Sequence, residues 1–264
     1  MNEILVIQRE ESNEKIRIGI SHRKLWEEFH RNNNEMILTS KGRCIYPRIG
    51  YTVEGLEPKT MYLVCLKLSQ TDHSRYKYSA GEWHTASTGD PESEARCIYP
   101  DNGSTHIGQY WINNGIRFGK LKITNSAKDC SSNVLLTSMH KYRPVLYIYK
   151  VYTTPALCLD GSTILTNQYQ LVKTFSDQIM EFIAVTAYQN QRIIEMKKIH
   201  NSYARGQRGG TIKGLQNPPA TIEHCSFLNS SSFARLNLPN MWNYSTLWHH
   251  FPVPYPSFVP RSSQ

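Results

Sequence analysis

Between Leu25 and Arg208 apolar residues alternate with polar ones over many short stretches, and that two-residue period predicts strands. MYLVCLKLS at Met61–Ser69 is rich in apolar, β-forming residues. VLYIYKVY at Val145–Tyr152 is β-branched and aromatic throughout, and EFIAVTAY at Glu181–Tyr188 is a third such run. Shorter candidates cover Met36–Thr39, Tyr51–Glu54, Glu82–His84, Ile116–Thr124 and Asn133–Thr137. Within Ile116–Thr124 the parity changes. Ile116 and Phe118 share one face, Leu121 and Ile123 the other, and Gly119 at the break predicts a bulge. Two stretches carry helical spacing instead. Leu25, Trp26 and Phe29 fall three and four apart behind Ser21, a residue able to cap the helix. Further on, Ile193, Met196 and Ile199 are three apart, with Lys197 and Lys198 among them. Many strands without helices alternating between them predict a mainly β fold, an antiparallel sandwich or barrel with a short amino-terminal helix.

Composition divides the chain into three zones. Residues 1–20 are charged and irregular, and 21–208 carry the patterned core. Residues 209–264 hold seven of the 13 prolines, with Ser and Asn clusters and few charges. Phe227, Phe233, Trp242, Trp248 and Tyr255 punctuate this tail. It reads as a poorly ordered extension, or as a short linear segment that docks aromatic and proline residues on a co-regulator protein.

Charge narrows the partner. Lys and Arg number 30 against 21 Asp and Glu, a net charge of +9, which favours a polyanion. The six cysteines are scattered, with no C-x-x-C pair and no zinc-finger spacing, and are expected to be reduced thiols of an intracellular protein. No secretory signal is expected from the amino end, and no apolar run reaches membrane-spanning length. Catalytic motifs are missing: there is no G-x-S-x-G, H-E-x-x-H, phosphate-binding loop or dinucleotide fingerprint. Ser138 and His140 lack a carboxylate partner, and the pair His249–His250 lacks further metal ligands. The chain is therefore expected to be no enzyme and to use no cofactor.

Four basic clusters stand out: Lys41–Arg43, Lys120–Lys122, His140–Arg143, and a run from Arg192 through Lys197, Lys198 and Arg205 to Arg208. Any one alone is an ordinary solvated face. Together with the hydrogen-bonding run Thr186–Asn190 they fit a phosphate backbone. A sandwich grips DNA with loops and terminal helices, which points to Ile193–Ile199 and Asn201–Arg208 as the elements that enter it.

At this point the residues resemble the T-box family of transcription factors. LWEEFH and NEMILTSKGRCIYP look like the family's opening segment. GLEPKTMYLVCLKL, RYKY, YPDNGSTHIGQYW, FGKLKITN, LLTSMHKYRP, EFIAVTAYQN and NSYARGQR follow in the family's order across Leu25–Arg208. The resemblance implies an immunoglobulin-like β-sandwich with carboxy-terminal DNA-contacting helices. It also implies nuclear location, and regulation of RNA polymerase II transcription through a short duplex element, the T-site. By motif matching, Arg43 stands for the arginine at a guanine edge or nearby phosphate of the major groove. Lys120 and Lys122 stand for strand lysines that approach the backbone. Ser138 and Lys141 match backbone contacts of the SMHKY element, and Thr186, Tyr188 and Gln189 match the loop before the last helices. Tyr203 and Ala204 match the start of the minor-groove segment, with Arg205 and Arg208 completing the set. The partners implied are double-stranded DNA, a second copy in a weak homodimer on paired sites, and co-regulators.

The sequence departs from the family pattern in four places. Cys44 follows Arg43 where a second arginine is usual, Val145 replaces an arginine, Lys198 sits at an apolar helix position, and Gln207 replaces the second aromatic of the family ending. Gln207 can hydrogen-bond but cannot wedge between bases. These changes bear on site preference. They also open a rival reading: a β-sandwich protein-interaction module with weak or relaxed DNA specificity.

Overall fold

A computed structural model describes residues 15–92, 96–128, 133–157 and 162–200. The chain divides after Gly210 into two units, and all described residues lie in the first. The aromatic tail and the segment holding Tyr203, Ala204, Arg205 and Arg208 lie outside the described residues. Among the described residues, fourteen strands and three α-helices run in this order: β1 (Arg17–Ile20), α1 (Arg23–His30), β2 (Glu35–Ile37), β3 (Arg43–Cys44), β4 (Gly50–Glu54), β5 (Met61–Gln70), β6 (Ser74–Ser79), β7 (Glu82–Thr88), β8 (Thr105–Ile107), α2 (Gly108–Asn114), β9 (Ile116–Arg117), β10 (Lys122–Thr124), β11 (Val134–Leu135), β12 (Lys141–Leu157), β13 (Thr163–Phe175), β14 (Phe182–Val185) and α3 (Gln191–His200), with a 3-10 turn at Gln178–Met180. The fold is mainly β, as the alternation predicts.

The strands form four sheets. The largest has the order β2-β14-β12-β5-β8, with β13 also on β12; the others are β1-β4-β9, β11-β10-β3 and the hairpin β6-β7. β12 is the spine of the largest sheet. It pairs with β14 at Lys141–Tyr142, with β5 over Tyr142–Lys150, and with β13 over Leu146–Leu157. Pro144 lacks an N–H for a ladder and falls in the gap between the β14 and β13 pairings. Most pairs are antiparallel, as expected, and two short pairs are parallel: β14 with β2 and β10 with β11.

One large apolar core joins these layers, with Trp26, Trp111, Tyr51, Leu66, Ile123 and Ile148 among its most enclosed side chains. β1 contributes to it although it precedes residue 21: Ile16 and Ile20 are buried, and β1 pairs with β4. A smaller cluster of Phe29, Ile193 and Met196, with Leu25, Tyr46 and Tyr188 against it, seats α3 on α1.

Two local expectations change, and two elements are new. Ser21 does not cap α1; its N–H extends the β1–β4 ladder to Gly50 O at 2.9 Å, so the cap position moves to His22, which has left-handed backbone and no side-chain cap bond. The Ile116–Thr124 run is not one bulged strand. It breaks after Arg117 into β9 and β10, which belong to different sheets. Ile116, Phe118, Leu121 and Ile123 are all buried, because the turn at Gly119 re-aims the second half of the run. α2 and β13 carry no clear period in the sequence and emerge only in the structure.

Leu146 is fully buried where β12 has strands on both sides. Leu146→Ala is expected to lower stability by about 2–5 kcal/mol, the range for an enclosed leucine that leaves a cavity. Urea denaturation of the full chain measures it, and a loss below ~1 kcal/mol would contradict the core described.

Candidate nucleic-acid interface

Arg43, Ser138, Lys141, Thr186, Tyr188 and Gln189 sit in loops and strand ends near the carboxy ends of β2 and β14. β2 and β14 run side by side, and their carboxy ends open into Leu38–Gly42 and Thr186–Asn190. Leu38 N–H donates to Val185 O at 2.8 Å, holding the two exits together. Thr124, the last residue of β10, donates its hydroxyl to Thr39 O at 2.9 Å. Gly42 takes a left-handed φ of 77°, which favours glycine, and a Cβ there would press on the Asn133 side-chain amide. This turn aims Arg43 into β3, beside Ile123 of β10.

Arg43 is half-buried. Burial raises the Tyr188 phenol above its ordinary value, and the charge of Arg43 opposes that shift while Glu35 adds to it. The charge of Arg43 thus reaches Tyr188, although the two were matched separately to the family pattern. Lys122 is exposed and pairs in register with Cys44, one position along β3 from Arg43. Lys120 is exposed on the same side of its run, with Leu121 and Ile123 buried between and beyond, as the alternation predicts. It sits at the other end of the short strand, where the Asp101 carboxylate accepts the N–H groups of Gly119 and Lys120 at 2.6 and 3.0 Å. Thr186 and Gln189 are exposed. Among the described residues, Arg43, Lys120, Lys122 and Arg192 enter none of the ion pairs present.

The third basic cluster is largely committed within the fold. His140 is buried; it accepts the Asp90 N–H at Nε2 at 2.9 Å, and Nδ1 meets Ser138 O at 2.9 Å. Tyr142 is buried in the core. Arg143 pairs with Glu181 at 2.7 Å. Lys141 keeps its ammonium 4.7 Å from the Tyr76 ring centre and stays partly exposed. Ser138 is half-buried in the turn before β12, tied to β14 through Met139 N–H and Ala184 O at 2.6 Å. Val145 lies opposite Lys67 on β5, within the sheet.

The fourth cluster needs a larger correction. Lys198 and Arg192 are exposed, but Lys197 is only 2% exposed and Ile199 is 64% exposed. A helix of 3.6 residues per turn that buries Ile193 and Met196 also buries the position four after Ile193, which is Lys197. Positions 193, 196 and 199 drift off that stripe. The Lys197 ammonium lies over the Phe29 ring at 4.7 Å and 5.9 Å from the rings of Tyr46 and Tyr188. It donates to Tyr46 O, to Asn34 Oδ1 at 3.1 Å and to Met36 Sδ at 3.6 Å. Lys197 is therefore a buried link between α3 and the β2–β4 region, not a surface cation.

Glu35 is the other residue that the sequence reading missed. It is fully buried. Its carboxylate accepts the N–H groups of Gln189 at 2.8 Å and Asn190 at 3.0 Å, and the Trp83 indole N–H at 3.0 Å. Burial raises its pKa, against these three donors and the charge of Lys197. Asn190 then caps α3: its Oδ1 accepts Arg192 N–H and its side-chain N–H reaches Asn32 O, both at 3.0 Å. Tyr46 donates to His200 O at 2.7 Å, holding the last residue of α3. The one hint in the sequence was a lone acid in the apolar stretch NEMIL, a residue type seldom buried without partners.

Lys197 makes a testable pH signature. Desolvation brings its pKa down to about 7, with Arg43 acting the same way and Glu35 opposing; the Tyr46 and Tyr188 phenols also face it. The folded state then binds fewer protons than the unfolded state between that value and the ordinary lysine value of 10.5. Stability from this group is therefore lost below the window and gained as pH rises through it. Relative to Lys197→Met, the wild-type chain is expected to gain on the order of 1 kcal/mol per unit from pH 7 to 9. Denaturant titrations of both proteins check this, and parallel pH profiles would contradict it.

Comparison with known sequences completes the description. The T-box family pattern matches residues 18–209. T-box transcription factor tbx-9 of Caenorhabditis elegans is 37% identical over 207 residues, covering 78% of this chain and 69% of that protein. T-box protein 2 of Caenorhabditis elegans is 36% identical over 193 residues, covering 73% and 43%. T-box transcription factor T homolog 2 of Branchiostoma floridae is 33% identical over 271 residues, covering 94% and 59%. The chain thus spans less than two-thirds of two of these three relatives. With a match over most of its length and the blocks in order from β1 to α3, the chain belongs to the T-box family.

Proposed function

We propose that this protein is a sequence-specific duplex-DNA-binding transcription factor of the nucleus that regulates RNA polymerase II transcription through T-site-like elements. The observation that carries the reading is the convergence of Arg43, Lys122, Tyr188 and the Thr186–Asn190 loop near the carboxy ends of β2 and β14, with Arg43 and Lys122 in no ion pair among the described residues. Family membership and relatives named as transcription factors support it. Arg43 reads a guanine edge or grips a nearby phosphate in the major groove. Lys120, Lys122, Ser138, Lys141, Thr186 and Gln189 position the duplex by its backbone, and Tyr188 stands within reach of the Arg43 charge. Tyr203, Ala204, Arg205 and Arg208 contact the minor groove beyond the end of α3. Paired sites seat two copies as a weak homodimer, and the aromatic tail recruits co-regulators.

A second reading keeps the fold but not the readout: a protein-interaction module of T-box descent. The Arg143–Glu181 ion pair and the burial of Lys197 favour it, because both withdraw cations from the surface.

Duplex titrations separate the two. A T-half-site duplex is expected to bind in the nanomolar range typical of specific complexes, and a scrambled duplex orders of magnitude more weakly at the same salt. Arg43→Ala and Tyr203→Ala should each lose about 1–3 kcal/mol on the specific duplex. Lys122→Ala should weaken all duplexes alike and reduce the salt slope by about 1. Equal affinity for scrambled and specific duplex would support the interaction-module reading.

A further inference from the structure

The outer face of β5 carries chemistry that DNA binding does not use. β5 sends Tyr62, Val64, Leu66 and Leu68 to the core, and its other face holds Cys65 and Lys67. Residues 96–99 run beside β5, on the edge opposite β12 and beyond the β8 pairing. Leu66 and Ile98 form an antiparallel bridge with two backbone hydrogen bonds of 2.8 Å. Antiparallel order then sets Cys97 across from Lys67 and Cys65 across from Tyr99, with both cysteines on one side of the pair. Both thiols are reduced; Cys65 is buried and Cys97 only partly so.

The two cysteines therefore sit at diagonal positions on one face, near enough for each thiol to act on the other. The Cys65 thiol, with the charge of Lys67, brings the Cys97 thiol down to about 6 against the effect of burial. Cys97 and burial push the Cys65 thiol up. Tyr99 and Tyr149 of β12 complete the surroundings, both raised chiefly by burial, with Tyr169 of β13 beside Tyr99. Lys67 is then the one cation acting on the pair among the described residues, and the phenols stay neutral at physiological pH.

We propose that Cys97 and Cys65 form a thiol modification site, with Cys97 the attacking thiolate towards a small-molecule disulfide and Cys65 the resolving thiol. Cys97 sulfur attacks one sulfur of the disulfide; its S–S bond breaks, a mixed disulfide forms on Cys97, and one small thiolate leaves. Loss of the negative charge on Cys97 removes what held the proton on Cys65. Cys65 then loses that proton to solvent and attacks the Cys97 sulfur. A Cys65–Cys97 bond forms as the second small thiolate departs. The two protein thiols are oxidised by two electrons, and the small disulfide is reduced to two thiols. The product ties the 96–99 segment to β5 of the largest sheet.

The test exposes the native full chain to oxidised glutathione and maps the products by intact mass and peptide mass spectrometry. The wild type is expected to lose two hydrogens and yield a peptide joining Cys65 to Cys97. Cys65→Ser should instead trap glutathione on Cys97, and Cys97→Ser should leave Cys65 unmodified. At pH 6, iodoacetamide should alkylate native Cys97 about tenfold faster than the same residue in the denatured chain. A stable glutathione adduct on wild-type Cys97, first modification at Cys44, or equal alkylation of native and denatured Cys97 would each overturn the assignment. If Cys65→Ser fails to fold, the wild-type peptide map and the alkylation rates still decide it.

Discussion

The buried Glu35 carboxylate is the constraint around which the candidate interface is arranged. It sits at the start of β2 with no exposure to water, where an ionised group is stable only with close donors. Three N–H groups supply them, from Gln189, Asn190 and Trp83. The donors come from two separate parts of the fold. Gln189 and Asn190 end the loop that leads into α3, and Trp83 ties in the β6–β7 hairpin. Without the carboxylate, these part-buried donors would lose their shared acceptor, and Glu35 is the buried group that joins them. The loop matched to DNA contacts is thus held from beneath by a group that touches no DNA.

Lys197 extends the same arrangement across the helix. Its ammonium is desolvated under Phe29, Tyr46 and Tyr188, and the negative charge of Glu35 partly offsets that desolvation. Glu35 holds the 186–190 loop and Lys197 ties α3 to the Tyr46 segment, so the two buried groups join these elements. Surface cations stay available on Arg43, Lys120, Lys122, Arg192 and Lys198, while Arg143 and Lys197 are consumed internally. A basic sequence cluster and a basic surface are consequently different things in this protein. The interface is narrower than the charge pattern suggests.

Much of the fold was legible because period and burial agree. Met61–Ser69, Val145–Tyr152 and the start of Glu181–Tyr188 became β5, β12 and β14, and Trp26 with Phe29 marked the buried side of α1. β13 was illegible because it is held along β12 and is rich in Thr, Gln and Asn, so its side chains show little apolar bias. α2 was missed because a seven-residue helix buries only Gly108 and Trp111, too few positions to display a period. Of the site, Arg43, Lys122 and Tyr188 were found by motif, but their proximity rests on sheet pairing between distant segments. Glu35 and Lys197 were missed for one reason. A charged residue in a sequence reads as surface, and only tertiary donors, acceptors and rings make its burial tolerable.

The claim that most needs a direct reading is where DNA touches the protein. Titrating a T-half-site duplex into isotope-labelled protein and following backbone amide signals reads it residue by residue. The account predicts the largest changes at Lys41–Arg43, Lys120–Lys122, Ser138–Lys141 and Thr186–Arg192, with the β12–β13 hairpin beyond Tyr152 unmoved. Changes concentrated on that hairpin, with Arg43 and the 186–190 loop silent, would contradict it.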